Sequence, residues 1–126
     1  MRVSVDPVTY QPAGEPEIVV AGRMGDDFCI DEDNEVIYLT THRQNTIDRV
    51  WMDPARNSGF TESVAGDPHT EHLIGPSAGT WGRGSGEEQR RVGYFLCDGG
   101  TSSPPPKGRR EATLVRVEFP SIDRKG

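Results

Sequence analysis

A short sequence element occurs three times in this chain of 126 residues. Residues 2–7 read Arg-Val-Ser-Val-Asp-Pro, residues 49–54 read Arg-Val-Trp-Met-Asp-Pro, and residues 116–120 form a less complete copy, Arg-Val-Glu-Phe-Pro. The second and third copies also match upstream, with Thr-Ile-Asp at 46–48 and Thr-Leu-Val at 113–115. Such a repeat constrains the fold strongly, because each copy is one structural unit that packs on its neighbours.

Two further elements return in the same order along the chain. Val-Ala-Gly at 20–22 recurs at 64–66, and Val-Ile-Tyr-Leu at 36–39 corresponds to Val-Gly-Tyr-Phe at 92–95. A unit of roughly 40–50 residues with four short strand-like runs has the period of a β-propeller blade. The sequence therefore predicts an all-β fold, a partial β-propeller of about two four-stranded blades plus a leading strand.

The predicted strands are short, rich in β-branched and aromatic residues, and bounded by Gly, Pro, Asp or Asn. In the first full unit they lie at 28–31, 36–40, 46–52 and near 60–64. In the second they lie at 78–81, 92–96 and 113–119, separated by loops at 82–91 and 99–110. We expect outer strands of a preceding blade at 1–22, a complete blade at 23–66, a second blade with long loops at 67–120 and a tail at 121–126.

The number of blades raises a problem of burial. Closed propellers have at least four blades, and repeats bury their apolar faces against neighbours, so this chain would leave two blade faces uncovered. Three outcomes are open: the chain assembles with other copies as a homo-oligomer, it is a truncated gene product, or it is marginally folded.

Composition and charge limit the classes of partner. Only 33% of residues are hydrophobic, and 15 glycines and 10 prolines favour turns and short strands over helices. The net charge of −6 predicts neither a nucleic-acid partner nor an anionic membrane surface.

The same sequence predicts a cytoplasmic protein. No apolar stretch approaches the length that spans a bilayer, and the first residues lack a signal-peptide layout. Cys29 and Cys97 each lie in an apolar run, where a buried, reduced thiol is the common case.

Residues 25–40 read Gly-Asp-Asp-Phe-Cys-Ile-Asp-Glu-Asp-Asn-Glu-Val-Ile-Tyr-Leu-Thr. Together with 45–50 they resemble a blade of the senescence-marker-protein/gluconolactonase family of six-bladed propellers, in which the opening triplet is Pro-Asp-Gly. Residues 66–84 are similar to the next blade of the fungal members of that family. The resemblance covers about residues 1–119 and implies the C-terminal third of a full-length relative, with a small-molecule substrate.

Three functions are compatible with this resemblance. The first is a biosynthetic cyclase of hetero-Diels–Alderase type in fungal secondary metabolism, which positions its substrate in a propeller channel and requires no cofactor. The second is a calcium- or zinc-dependent lactone or ester hydrolase. The third is a truncated, non-catalytic propeller remnant. The Gly/Pro-rich loops and the variant triplet at 25–27 favour the cyclase.

Asp26 is the first candidate catalytic residue, because it matches the family's metal-binding and base-forming aspartate. There it would ligate a hard cation or take a proton; the alternative is that it only caps a turn. The family's other metal ligands, a Glu and two Asn, come from blades that this chain does not contain. His42, on the loop after the second strand, is the second candidate catalytic residue.

Candidate substrate-binding residues are Asp27, Asn45, Ser77 and Trp81. Asp27 replaces the glycine of the family triplet, and Ser77 is expected at the matching position of the second blade. No base lies near Ser77 in sequence, so a nucleophilic serine is not expected. His69 and His72 form a His-x-x-His pattern in a polar segment, for which a solvated loop is favoured over a metal site.

Overall fold

The computed structural model describes residues 1–57, 62–87 and 90–122. These residues contain seven strands, one short 3-10 turn at Pro54–Asn57 and no α-helix, so the all-β prediction is confirmed. One sheet holds, in order, β1 (Gly25–Asp31), β2 (Val36–Thr41), β3 (Thr46–Trp51) and β4 (Glu62–Gly66). The other holds β5 (Pro76–Trp81), β6 (Val92–Cys97) and β7 (Thr113–Glu118).

The strand count differs from the prediction in two places. The second sheet has three strands within the described ranges, where four were predicted. Residues 1–22, where outer strands of a preceding blade were expected, form only two isolated bridges, between Arg2 and Glu17 and between Val5 and Pro12. The predicted start of the fourth strand, at 60–61, lies outside the described residues. No helix in the described part of the chain is long and apolar enough to cross a membrane.

Tight turns join the first three strands because polar side chains satisfy the turn backbone. After β1, the Asp31 carboxylate accepts hydrogen bonds from the Asn34 backbone N–H (3.2 Å) and from its side-chain amide (2.8 Å). After β2, Asn45 has a φ of 60°, a left-handed conformation that Asn adopts more readily than most residues. These short turns make β1, β2 and β3 antiparallel neighbours.

The internal repeat is present in the strand pairing. Tyr38 pairs with Arg49 in the first sheet, and Tyr94 pairs with Arg116 in the second. The offsets are 56 residues (38 to 94) and 67 residues (49 to 116), and the same offsets relate every pair of β2–β3 to a pair of β6–β7. Each sheet also has a register irregularity near the start of its first strand. The two sheets are therefore copies of one structural unit.

The core lies between the two sheets. We call the face that carries Tyr38 or Tyr94 the front of its sheet and the opposite face the back, since side chains alternate along a strand. The front of the first sheet packs on the back of the second, which carries Phe95. Buried residues of this cluster are Cys29, Val36, Tyr38, Ile47, Leu73, Phe95, Cys97 and Phe119.

Phe119 links the aromatic residues of both sheets. Its ring stacks on Tyr38, with centroids 4.1 Å apart, and meets Phe95 edge-on at 5.7 Å and Trp81 edge-on at 5.9 Å. Offset-stacked and edge-on pairs add to the free energy gained by burying the rings. Phe119 follows β7 directly, so the last strand is held in place by this contact.

Hydrogen bonds fix β1 beside β5. The Asp27 carboxylate accepts from the Gly79 backbone N–H (3.3 Å), and the Trp81 indole N–H donates to the Ile30 carbonyl (2.8 Å). The residue numbers of both strands increase from the first hydrogen bond to the second, so β1 and β5 run in the same direction. We call the end where β1 and β5 begin the upper end, and the opposite end the lower end.

Replacing Phe119 with alanine is expected to destabilise the fold by about 3–5 kcal/mol, because it removes a buried ring and leaves a cavity between the sheets. Urea unfolding followed by tryptophan fluorescence measures the change. Tyr10→Ala is the matched control, since this aromatic side chain is 78% exposed, and it is expected to change stability by less than about 0.5 kcal/mol. Equal effects of the two variants would contradict the proposed core.

Both cysteines are expected to be unreactive in the native protein. Burial raises the pKa of the Cys29 and Cys97 thiols to about 11, so at pH 8 only about one molecule in a thousand carries a thiolate at either site. Ellman's reagent should therefore detect no fast-reacting thiol before unfolding and two thiols after it. A thiol that reacts in the native state at the rate of a free cysteine would contradict this burial.

Candidate functional site

Five of the six predicted site residues lie at the upper end. Asp26 and Asp27 open β1 and Ser77 opens β5, while His42 and Asn45 lie in the turn between β2 and β3. That turn is at the upper end because β2 runs antiparallel to β1. Strand direction alone therefore brings together residues that are far apart in sequence.

Asp26 lies at the register irregularity between Gly25 and Phe28, where the regular ladder of β1 is interrupted. Its side chain is exposed, and its carboxylate makes no hydrogen bond or ion pair with any residue that the structure describes. A turn-capping aspartate would accept a backbone N–H, as Asp31 does. Asp26 therefore does not cap a turn in the described structure, and its oxygens are available to a ligand.

Asp27 has a structural role that its neighbour lacks. Its carboxylate accepts the Gly79 N–H across the two sheets, and its backbone N–H donates to the Thr40 hydroxyl at 3.0 Å. The side chain is half-buried. One of its carboxylate oxygens is thus engaged in holding β1 against β5. Contact between Asp27 and a substrate stays a prediction.

The turn between β2 and β3 contains both an anchored and an unpaired side chain. The Asn45 amide oxygen accepts the Gly75 backbone N–H at 2.9 Å and ties the turn to the segment before β5. His42 is half-buried, and its Nδ1 atom is buried with no hydrogen-bond partner. Buried polar atoms without partners are uncommon in folded proteins. Within the described residues this turn has two of them, the His42 Nδ1 atom and the Gln44 Oε1 atom.

Ser77 has a neighbour that sequence reasoning missed. Its hydroxyl donates to the Gly75 carbonyl at 2.9 Å and lies 3.4 Å from the Asp98 carboxylate. Asp98 follows β6 and also accepts the Gly100 backbone N–H at 2.8 Å. The Asp-Gly-Gly run at the end of a predicted strand was the available signal for this turn. No imidazole contacts the Ser77 hydroxyl among the described residues, so the arrangement holds a loop and does not activate a nucleophile.

The strand register also changes one expected correspondence. Phe28 pairs with Leu39, and Gly79 pairs with Phe95 at the equivalent place of the second sheet. This offset of 51 residues (28 to 79) aligns Ser77 with Asp26, one residue away from the match with Asp27 expected from sequence. The upper end of the second sheet thus has a hydroxyl where the first sheet has a free carboxylate.

Trp81 lies at the lower end, away from the other five candidates. Its ring lines a cavity of about 240 Å³ whose other walls include Ile30, Glu32 and an ion pair between Arg91 and Asp31 with a nitrogen–oxygen distance of 2.6 Å. Trp81 also packs edge-on against Tyr38 with centroids 5.6 Å apart. In the structure Trp81 contacts the core and the Ile30 carbonyl, and a substrate contact stays a prediction.

The described residues do not fit a calcium or zinc site. They contain no group of three His, Cys, Asp or Glu side chains that could hold a metal ion. His69 and His72 are exposed, and their backbone N–H groups donate to the side chains of Asp67 and Thr70. Asp26 would therefore need further ligands from outside this set to bind a hard cation, which takes six or more oxygens in the case of calcium.

Comparison with known proteins gives no further assignment. A scan against protein-family models and a search of the curated proteins both find no match to this chain. The fold consists of two repeated antiparallel sheets. The function proposed below is based on this fold and on the resemblance of residues 25–40 to one propeller family.

Acid is expected to weaken the lower end through Asp31. Burial disfavours its charged form, but hydrogen bonds from Asn34 and Arg91 outweigh this and hold the pKa of the carboxyl below its ordinary value of 3.8. A lowered folded-state pKa means that the stabilisation is complete above the ordinary value and is lost as pH falls through the folded-state pKa. The urea concentration at the unfolding midpoint should therefore decrease as the pH is lowered below about 4.

Asp31→Asn tests this source of acid sensitivity. The variant is expected to be less stable than the wild type at neutral pH and to lose less of its remaining stability on acidification, because the titrating group is gone. Glu32→Gln, at an exposed neighbouring position, is the control and should keep the wild-type acid dependence. Parallel pH profiles for the wild type and Asp31→Asn would contradict the assignment.

Proposed function

We propose that this chain is the closing part of a β-propeller of the senescence-marker-protein/gluconolactonase type and that it contributes to a small-molecule cyclase of hetero-Diels–Alderase type. The observation that carries the proposal is the state of Asp26. Asp27, Asn45 and Ser77 are each engaged in holding the fold, whereas the Asp26 carboxylate is exposed and has no partner among the described residues. It therefore remains available for chemistry.

The propeller assignment is supported by the relation between the two sheets. They have the same internal register, they stack front to back, and their first strands lie side by side in the same direction. First strands in this arrangement are the innermost strands of neighbouring blades and line a central channel. Asp26 would then lie at the upper mouth of that channel.

The proposed reaction asks little of the protein beyond positioning. A conjugated carbon–carbon and carbon–oxygen double bond joins an alkene through one new C–C bond and one new C–O bond, giving a six-membered ring. Three π bonds become one, and no atom, electron or proton is gained or lost. Holding the partners in a reactive orientation supplies most of the acceleration, because it removes the entropic cost of their encounter.

Two side chains have roles in this proposal. The Asp26 carboxylate accepts a hydrogen bond from a substrate hydroxyl and fixes its orientation. The His42 imidazole donates a ring N–H to the carbonyl oxygen of the heterodiene, which draws electron density from the conjugated system and lowers the barrier. Asn45 and Ser77 lie at the same end and would contact the substrate with the polar atoms that the fold leaves free.

Two alternatives have weaker support. Metal-dependent lactone or ester hydrolysis would use Asp26 as a ligand or base, but it needs donors that the described residues do not group together. A non-catalytic remnant would account for the exposed sheet faces, yet it gives no reason for a free carboxylate at the entry of β1.

An α,β-unsaturated ketone that carries a hydroxyl group, mixed with an enol ether, is a suitable probe of cyclase activity. The protein is expected to give the dihydropyran product faster than the uncatalysed reaction and with enantiomeric excess, measured by chiral chromatography. Asp26→Asn should lower the rate by about ten- to a hundredfold, because it weakens a hydrogen bond to a charged group, while Glu15→Gln, an exposed carboxylate of the N-terminal segment, should not change it.

The hydrolase alternative makes the opposite prediction for a different probe. If the protein opens a δ-lactone at a rate that rises with added calcium or zinc and falls in Asp26→Asn, while the cycloaddition stays racemic and uncatalysed, the cyclase proposal is wrong.

A further inference from the structure

The upper part of the front of the second sheet is uncovered, although Val92 at the lower end of this face is fully buried. Leu96 is 51% exposed and Leu114 is 68% exposed, and the two residues pair across β6 and β7. With Ala78 and Thr80 they line an open groove of about 450 Å³ on this face. Exposed leucines are ordinary one at a time, but neighbouring ones on one sheet face mark an interaction surface.

The repeat shows what such a face normally contacts. By the offsets of the two sheets, Leu96 is equivalent to Thr40 (40 to 96) and Leu114 to Ile47 (47 to 114). Thr40 and Ile47 are fully buried, because the back of the second sheet covers the front of the first. The second sheet thus has exposed leucines at positions that the first sheet buries against another sheet.

The back of the first sheet is uncovered along β1 in the complementary way, although Val50 on the same face of β3 is fully buried. Phe28 is 50% exposed and Ile30 is 43% exposed, and both point away from the second sheet. Their equivalents by the offset of 51 residues are Gly79 and Trp81, which lie on the back of the second sheet, in the contact between the two sheets. The first sheet therefore has exposed apolar side chains on its back, at positions whose equivalents in the second sheet lie in the contact between the two sheets.

The N-terminal segment covers only another part of this back face. Arg23 reaches Asp48 on β3 with a nitrogen–oxygen distance of 2.5 Å and also donates to the hydroxyls of Thr46 and Ser63. These partners lie on β3 and β4 of the first sheet. The segment leaves Phe28 and Ile30 on β1 open.

We propose that a second copy of this chain docks the back of its first sheet onto the front of the second sheet, in the same front-to-back mode that joins the two sheets within one chain. Each copy has one partly uncovered front and one partly uncovered back, so the association is head-to-tail. Since propellers have about four to eight blades, such a chain closes into a ring of two to four copies. The inference rests on the blade assignment in the proposed function and is independent of the cyclase chemistry.

Sedimentation velocity over a concentration series tests the assembly without any substrate. The wild-type chain is expected to form oligomers of two to four copies. Leu114→Glu on the front face and Phe28→Glu on the back face should each prevent closed oligomers, because each puts a charge into the contact. Val8→Glu is the control, since this residue is 82% exposed in the N-terminal segment and its variant should assemble as the wild type does.

Mixing the two interface variants separates head-to-tail docking from other modes. Leu114→Glu keeps an intact back and Phe28→Glu keeps an intact front, so an equimolar mixture should form a one-to-one dimer. Each variant at the same total concentration should remain monomeric. Circular dichroism verifies that both are folded, and Leu96→Glu with Ile30→Glu provides a second pair if either variant is not.

Two results would overturn the proposal. The first is a folded wild-type chain that stays monomeric at the highest concentration reached. The second is a mixture of folded front and back variants that forms no dimer. A wild-type protein that assembles as expected but shows no cyclase activity would instead contradict the proposed function and leave the docking mode supported.

Discussion

The fold depends on covering the front of one sheet with the back of another. Tyr38 is fully buried in this contact, stacked on Phe119 and edge-on to Trp81. Neither sheet alone could exclude water from its apolar face, because a sheet buries that face only by packing against another element. The same contact places β1 beside β5 and so brings Asp26 and Ser77 to one end of the molecule.

The polar residues of the upper end divide into those that hold the structure and those that are free to act. Asp27 and Asn45 accept backbone N–H groups from β5 and the segment before it, and Asp98 accepts the Gly100 N–H within its own turn. These bonds satisfy donors that would otherwise lack a partner. Asp26 and the His42 Nδ1 atom make no such bond among the described residues. The function proposed above uses this division, with the anchored residues as a rigid frame for the proposed small-molecule substrate.

The repeat connects the site to the assembly of the molecule. Equivalent positions differ in burial: Ile47 is fully covered while Leu114 is exposed, although both lie on the third strand of their sheet and face the same way. An apolar residue thus stands at position 114, where burial would be favourable but no other part of the described chain covers it. A channel mouth built around Asp26 would be complete only when further blades close the ring, so the chemistry proposed for the upper end and the docking proposed for the open faces depend on the same geometry.

The sequence by itself determined the all-β class, the positions of β2, β3, β6 and β7 to within about a residue or two, and the repeat that relates the two sheets. These features depend on local alternation and on similarity between segments, both of which can be read along the chain. Tertiary structure decided the rest: the approach of Asp98 to Ser77 over 21 positions, the placement of Trp81 at the lower end, and the difference between Asp26 and its neighbour Asp27. These depend on which strand ends meet when two sheets pack, and no local pattern encodes that meeting.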